Sequence, residues 1–185
     1  AGGRATGAVN AIRFEEDGIL HGDNFDGIGF VAGLKDYGHL LKDKKILIVG
    51  AGGASRALAV ELISEPIKSL NITNRSFEKA KKVVQTIKSV RQTNKINAIE
   101  KKHIDYAEYD FVINATSLGM KSDDPLPFPI ISLKPDCVVC DIIMKPQETK
   151  LLSAAKRSGI KVHYGRHMLD YQIPFIADFI GAFKT

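Results

Sequence analysis

The stretch Lys45–Asn74, KILIVGAGGASRALAVELISEPIKSLNITN, decides how this chain folds. It opens with Ile46-Leu47-Ile48-Val49, an apolar run that reads as a strand buried on both faces. Gly50-Ala51-Gly52-Gly53 follows at once, Ala54–Ile63 reads as a helix rich in Ala and Leu, and Leu70-Asn71-Ile72-Thr73 reads as the next strand. Strand, glycine turn, helix and strand within about thirty residues make the dinucleotide-binding βαβ pattern. Gly50 lets the chain turn sharply out of the strand, and Gly52, without a Cβ, lets a pyrophosphate approach the backbone. The helix starting here offers unpaired N–H groups and its positive dipole end to that phosphate. Ser55 stands where a third glycine is usual, and is small enough for close helix–strand packing. A plain structural turn is the alternative reading.

The end of the second strand points to the nucleotide. A site for NAD places an acid there, to accept from the ribose 2′-hydroxyl. This chain has Asn74-Arg75-Ser76. An arginine can pair with a 2′-phosphate through its planar fork, and Ser76 adds a hydroxyl. NADP is therefore expected over NAD; an Asx turn with a solvated arginine is the bland alternative.

The 185 residues carry 44% hydrophobic and 25% charged residues, ordinary for a soluble globular protein, and form one large domain or one domain with a small appendage. No apolar run is long enough to span a bilayer and no signal-peptide pattern is present. The net charge is +5, with lysines spread over Lys42-Lys44-Lys45, Lys79-Lys81-Lys82 and Lys101-Lys102. A nucleic-acid footprint needs a tighter patch with stacking aromatics, so the surplus suits an anionic cofactor and substrate. Cys137 and Cys140 lie on the apolar stretch Cys137–Ile143, where an odd offset sends them to opposite faces of a strand. They read as buried core cysteines in a reducing, cytoplasmic setting. His21, His39, His103 and His163 read as scattered, with no metal site.

In chain order, Ala8–Phe14 and Ile19–Gly22 read as strands joined by the hairpin signal Glu16-Asp17-Gly18. Asp23-Asn24 caps a helix over about Phe25–Tyr37. After the nucleotide unit, Ser76 caps a helix over Glu78–Val90. Lys95–Glu100, Phe111–Asn114, Val138–Ile143 and Ile160–Tyr164 read as strands. Thr149–Ser158 and about His167–Phe183 read as helices. Alternating strands and helices predict an α/β fold: a Rossmann-like, doubly wound parallel sheet of order 3-2-1-4-5-6, preceded by a short hairpin segment.

Together these stretches resemble the shikimate dehydrogenases, including the quinate/shikimate branch. GAVNAI at Gly7–Ile12 is similar to the family's GAVNT, and GDNFDGIGF at Gly22–Phe30 to its G-x-N-T-D-G-x-G-F. GAGGASRA at Gly50–Ala57 and NRS at Asn74–Ser76 resemble its cofactor fingerprint. NATSLGM at Asn114–Met120, DIIMKPQETKLL at Asp141–Leu152 and GRHMLDYQ at Gly165–Gln172 complete the order. The resemblance covers nearly the whole chain.

The resemblance implies hydride transfer between NADP and a cyclohexene carboxylate, reducing 3-dehydroshikimate to shikimate. It makes Asp26 the aspartate of a catalytic Lys–Asp pair and Asn10 and Gln172 the holders of ring hydroxyls. A buried polar site of that kind discriminates because a missing hydroxyl leaves its partners unpaired. Ser117, Leu118, Gly119, Ile142, Gly165 and Met168 then fall along the nicotinamide half of the cofactor. The expected division is 1–24 as the end of a substrate domain, 25–165 as the NADP-binding domain with its linking helix, and 166–185 as a helix returning toward the substrate domain. The family's carboxylate-binding Ser motif and catalytic lysine precede GAVNT. The chain is thus expected to be a cofactor domain, inactive alone, in a monomer or homodimer.

Three positions depart from the family pattern. Phe25 stands for a Thr, Met144 for a Tyr that touches the substrate, with Lys145 after it, and His167 for a glycine. Shikimate, quinate and related polyols stay open as substrates. Without the family, Asp26 reads equally as a helix cap, Asn10 as a strand-edge residue and Gln172 as a surface residue. A non-catalytic NADP-binding module, or another NADP reductase such as a glutamyl-tRNA reductase domain, are the other readings.

Overall fold

A computed structural model describes residues 7–182. A two-stranded antiparallel hairpin comes first, β1 (Ala11–Phe14) and β2 (Leu20–Asp23). Helix α1 (Asp26–Asp36) leads into β3 (Lys45–Val49), α2 (Gly53–Leu62), β4 (Ser69–Thr73), α3 (Phe77–Arg91) and β5 (Ile96–Ala98). Then come β6 (Phe111–Asn114), β7 (Val138–Asp141), α4 (Lys150–Arg157), β8 (Lys161–His163) and α5 (Gly165–Phe179), with two single-turn 3₁₀ segments before β6.

The six later strands form one parallel sheet, β5-β4-β3-β6-β7-β8. Counted from β3 as the first strand, this is the expected order 3-2-1-4-5-6. The chain moves outward from β3 to β5, returns to the other side at β6, and so leaves a crevice at the carboxyl ends of β3 and β6. The apolar runs explain the burial: on β3, Ile46 and Ile48 face one core while Leu47 and Val49 face the other. The first core is covered by α1, α2 and α3, the second by α4 and the segment carrying Tyr106, Tyr109 and Phe128. Cys137 and Cys140 fall into opposite cores, and burial pushes the Cys137 thiol up to about 12.

Helix α1 is wedged between α2 and α5. A Cβ at Gly27 would strike Ala57 O, and one at Gly29 would stand 2.5 Å from Met168 O and 2.7 Å from Gln172 Cβ. Glycine at both positions lets three helix backbones approach. The hairpin docks on the far end of α5: Arg13 Nη1 donates to Phe179 O at 3.0 Å, and the Phe25 and Phe179 rings lie 5.3 Å apart.

Several local expectations shift. Asn24 does not precede the helix as its cap; Phe25 holds that position, and Asn24 Oδ1 accepts from Asp26 N at 3.1 Å. Ser76 precedes α3 but makes no capping bond with its side chain. The last helix begins two residues earlier than expected, at Gly165, and ends at Phe179; the expected end at Phe183 lies outside the described residues. Of the four histidines read as scattered, His39 and His163 meet, and His167 joins them. His39, His163 and His167 gather between β8, α1 and α5, with ring centroids 5.6 Å (His39–His163) and 4.5 Å (His163–His167) apart. Their separation along the chain concealed a meeting made by helix packing. Among the described residues no group of His, Cys, Asp or Glu could hold a metal ion, and no helix is long and apolar enough to cross a membrane.

Candidate functional site

The glycine turn ends β3 as its sequence requires. Gly50 has φ +126°, and a Cβ there would stand 2.5 Å from Ala115 O, so only glycine fits. Its N–H donates to Thr73 O at 2.8 Å. Gly52 precedes α2 in an extended conformation, and a Cβ there would enter open space. Ser55, fully buried, donates from Oγ to Gly50 O at 2.8 Å, so the residue in the third-glycine position ties the helix back onto the turn. Gly50, Ala51, Gly52, Gly53 and Ala54 thus present a helix N-terminus to an open space at the sheet's switch point, a cradle suited to a phosphate.

At the end of β4, Asn74 Nδ2 donates to Ser76 O at 3.1 Å, which shapes the turn. Arg75 and Ser76 are exposed beside it, and no carboxylate pairs with Arg75 among the described residues. The Asx-type turn and the free guanidinium coexist, so the bland reading of Asn74 does not remove Arg75 as an anion ligand.

On the other side of the crevice, β6 and β7 end in buried polar residues aligned in register, Asn114 and Asp141. Asn114 Nδ2 donates to Asp141 Oδ1 at 3.1 Å and to Leu118 O at 3.0 Å. Asp141 also accepts from Ile143 N at 3.0 Å and from Thr149 Oγ1 at 2.7 Å. Burial pushes the Asp141 carboxyl up, against the pull of these three donors. The network fixes the two loops that carry the expected nicotinamide contacts. Asp124 adds to it by accepting from Gly119 N and Lys121 N. Sequence reasoning missed this network; a polar residue ending each of two apolar strands was the available signal.

These loops and α5 enclose a cleft of about 870 Å³. Ser117, Ile142 and Met144 line it, with Lys145, Arg166 and Asp170 at its charged side. Leu118 and Gly119 belong to the same loop without lining the cleft. Met168 and Gly165 are buried behind it: Met168 joins the core against α1, and Gly165 packs backbone to backbone on Ile142 and Ile143.

The three residues matched to the substrate side converge from three parts of the chain. Asn10 Nδ2 lies 2.8 Å from Asp26 Oδ1 and 2.9 Å from Gln172 Oε1. Asn10 Oδ1 accepts from Phe25 N at 3.0 Å. Asp26 therefore does not cap its own helix with its carboxylate. Gln172 is not a surface residue; only 4% of it is exposed, because α5 turns this face onto α1 through Gly29.

A parallel sheet of this order, with a glycine cradle at its switch point, defines the Rossmann-like doubly wound class. A family model described as shikimate / quinate 5-dehydrogenase matches residues 34–120. A shikimate dehydrogenase (NADP(+)) from Methanosphaera stadtmanae is 40% identical over 167 residues, 88% of this chain and 58% of the relative. A crystal structure of a shikimate dehydrogenase in complex with NADP+ superimposes with a TM-score of 0.89 at 35% identity, covering 96% of this chain and 62% of that one. A quinate dehydrogenase from Corynebacterium glutamicum in complex with NAD gives a TM-score of 0.86 at 27% identity, covering 97% and 64%. Over most of its length the chain is similar to shikimate dehydrogenases. It spans about three fifths of the length of the curated relatives it matches, 58% and 61% in two of them.

Proposed function

We propose that this chain is the NADP-binding part of a shikimate-type dehydrogenase that reduces 3-dehydroshikimate, or a related cyclic polyol ketone, with NADPH. The observation that carries this reading is the convergence of Asn10, Asp26 and Gln172 by direct hydrogen bonds. The three side chains come from three separate parts of the chain and meet where Asn10 is exposed and Asp26 half-buried, within reach of a ligand.

In this reading residues 50–54 hold the pyrophosphate, Arg75 and Ser76 hold the 2′-phosphate, and the nicotinamide lies in the cleft lined by Ser117, Ile142 and Met144. The bound nicotinamide supplies the hydride. Asn10 and Gln172 orient ring hydroxyls, and Asp26 accepts a hydrogen bond from the hydroxyl of the alcohol form, whose proton leaves as its hydride passes to NADP and returns to the oxygen when NADPH reduces the ketone. Residues 1–24 would close a substrate domain, residues 25–165 form the cofactor domain, and α5 returns toward the substrate side. The carboxylate of Asp26 has an amide donor and no lysine partner among the described residues. The 185 residues alone are therefore expected to bind NADP(H) without turning over substrate. Calorimetric titration with NADP and NAD, followed by an assay for NADP reduction with shikimate and with quinate, tests both halves. Absence of NADP binding refutes the assignment, and steady turnover refutes the expected inactivity.

A further inference from the structure

Helix α5 reaches the segment that carries Asp26 at a second point beyond Gln172. Phe179 follows Gln172 on the same face of the helix, about two turns and roughly 10 Å along the axis. Its ring packs on Phe25, with centroids 5.3 Å apart and planes inclined at 55°. Phe25 stands directly before Asp26, in the cap position of α1. It is also one of the three positions that depart from the pattern of the family this chain resembles.

Phe179 is held in its turn by the hairpin. Arg13 donates from Nη1 to Phe179 O at 3.0 Å, and its guanidinium carbon lies 5.3 Å from the Phe179 ring centroid, within cation–π range. That carbonyl belongs to the last turn of α5, which lacks internal donors and carries the negative end of the helix dipole. Glu15 Oε1 pairs with Arg13 Nη2 and fixes the guanidinium. The contacts run from Arg13 to Phe179, from Phe179 to Phe25, and so to the residue before the carboxylate.

Phe25 meets the polar cluster through its backbone. Its N–H donates to Asn10 Oδ1 at 3.0 Å, and its carbonyl accepts from Gly29 N at 3.0 Å. Its backbone, at φ −109° and ψ 1°, sits in the sparsely allowed region between helix and strand. Among the described residues one bond holds the Asp26 carboxylate, from Asn10 Nδ2 at 2.8 Å. A swing of Phe25 would therefore carry off both groups that Asn10 grips, Phe25 N and Asp26 Oδ1. The ring stack is the contact that resists it.

We propose that Phe25 and Phe179 are positioning residues for Asp26: their stack, tied to the hairpin by Arg13, holds the carboxylate against Asn10 where a substrate hydroxyl would meet it. The proposal rests on the reading of Asp26 above. The aromatic ring at position 25 then serves the end of α5 rather than the substrate.

Nitrogen-15 relaxation of the Asn10 side-chain amide tests it, in the unaltered 185-residue chain and in Phe179→Ala, Phe179→Leu and Phe179→Tyr. In the unaltered chain the order parameter of this amide should be about 0.85, as rigid as backbone. Phe179→Ala should bring it below about 0.6 and move the Nδ2 protons upfield as the bond to the carboxylate is lost. Backbone amides from Phe30 to Leu34 in α1 should stay at about 0.85. Phe179→Tyr keeps the ring and should keep both signals; Phe179→Leu keeps bulk alone and should lose them, a contrast that carries the test if the alanine variant does not fold. An unchanged Asn10 amide in Phe179→Ala overturns the proposal. So does recovery by Phe179→Leu, or a loosening of α1 as a whole, either of which makes the stack plain packing. A mobile Asn10 amide in the unaltered chain overturns the convergence of Asn10, Asp26 and Gln172 itself, and this proposal with it. No turnover is read, so failure in the variants leaves the proposed reaction and the NADP-binding reading untouched.

Discussion

Asn10 Nδ2 stands 2.9 Å from Gln172 Oε1, so the start of the hairpin and the last helix meet across 162 positions of sequence. The same amide nitrogen donates to Asp26 at 2.8 Å, and its oxygen accepts from Phe25 N. One side chain therefore sets the entry to α1 and the position of α5 together. A double-mutant cycle on Asn10→Ala and Gln172→Ala should return a coupling of about 0.5–1.5 kcal/mol in urea denaturation. Strict additivity would show that the contact contributes nothing to stability.

Arg75 is expected to decide between the two nicotinamide dinucleotides. Arg75→Ala should lower NADP affinity by roughly tenfold to a hundredfold while leaving NAD affinity unchanged. Calorimetry with both ligands reads the ratio directly. Equal affinity for NADP and NAD in the unaltered chain would remove the 2′-phosphate role.

Two carboxylates at opposite ends of the sheet, Asp110 partly exposed and Asp141 fully buried, should respond to acid with opposite signs. Asp110, before β6, accepts from Lys45 N at 2.7 Å and from Lys134 Nζ at 2.8 Å, with Lys44 Nζ at 3.4 Å. Burial opposes its ionisation, but these donors outweigh it and hold the carboxyl below its ordinary value of 3.8. Its contribution to stability is full above that value and is lost as pH falls through the lower folded one. Asp110→Asn should cost about 1–3 kcal/mol at pH 7 and less at pH 3.

Asp141 behaves the other way. Burial raises its folded pKa above 3.8, so the fold holds this proton more tightly than the unfolded chain does. The stabilisation is full below 3.8 and is lost as pH rises through the raised value. Asp141→Asn keeps an oxygen for Asn114 and Ile143 and should abolish that slope at small cost. Asp141→Ala strands three donors and should cost about 1–3 kcal/mol or more. Denaturation of both variants at pH 4 and pH 7 makes the comparison; equal losses would show that hydrogen bonding at this site does not matter.

His163 is fully buried between Phe30, His39 and His167, and burial, with its two histidine neighbours, holds its pKa down to about 3. Between pH 6.5 and that value the unfolded chain takes up a proton that the fold refuses. Stability should therefore fall as pH drops below 6.5, by at most about 1.4 kcal/mol per pH unit from this group. His163→Phe should flatten the dependence in that window. An unchanged slope would assign the acid sensitivity to other groups.

The parallel sheet was legible because each of its main strands is a short apolar run, and runs such as Ile46–Val49 and Phe111–Asn114 fit only a sheet covered on both faces. The glycine turn was legible because the chain leaves β3 through a positive φ at Gly50, where a side chain would strike Ala115. What sequence could not display were partners distant along the chain. Nothing around Gln172 says which face of its helix is inward; that depends on Gly29, more than a hundred residues away. Likewise the motifs that carry Asn114, Asp141 and Thr149 did not show that these side chains bond to one another; the register of β6 and β7 sets the first two side by side. The meeting of His39 with His163 escaped for the same reason.

The glycine edges of α1 carry a consequence for genetics. Gly27 touches the helix behind the cradle and Gly29 the helix that bears Gln172, so an alanine at either would push apart two helices at once. In a loss-of-function screen these positions should score as severely as Asp26 in its proposed catalytic role, although neither belongs to the proposed substrate site. A map of intolerance along residues 24–34 would then run unbroken from chemistry into packing. Only a count of surviving folded protein for each allele would show where one ends and the other begins.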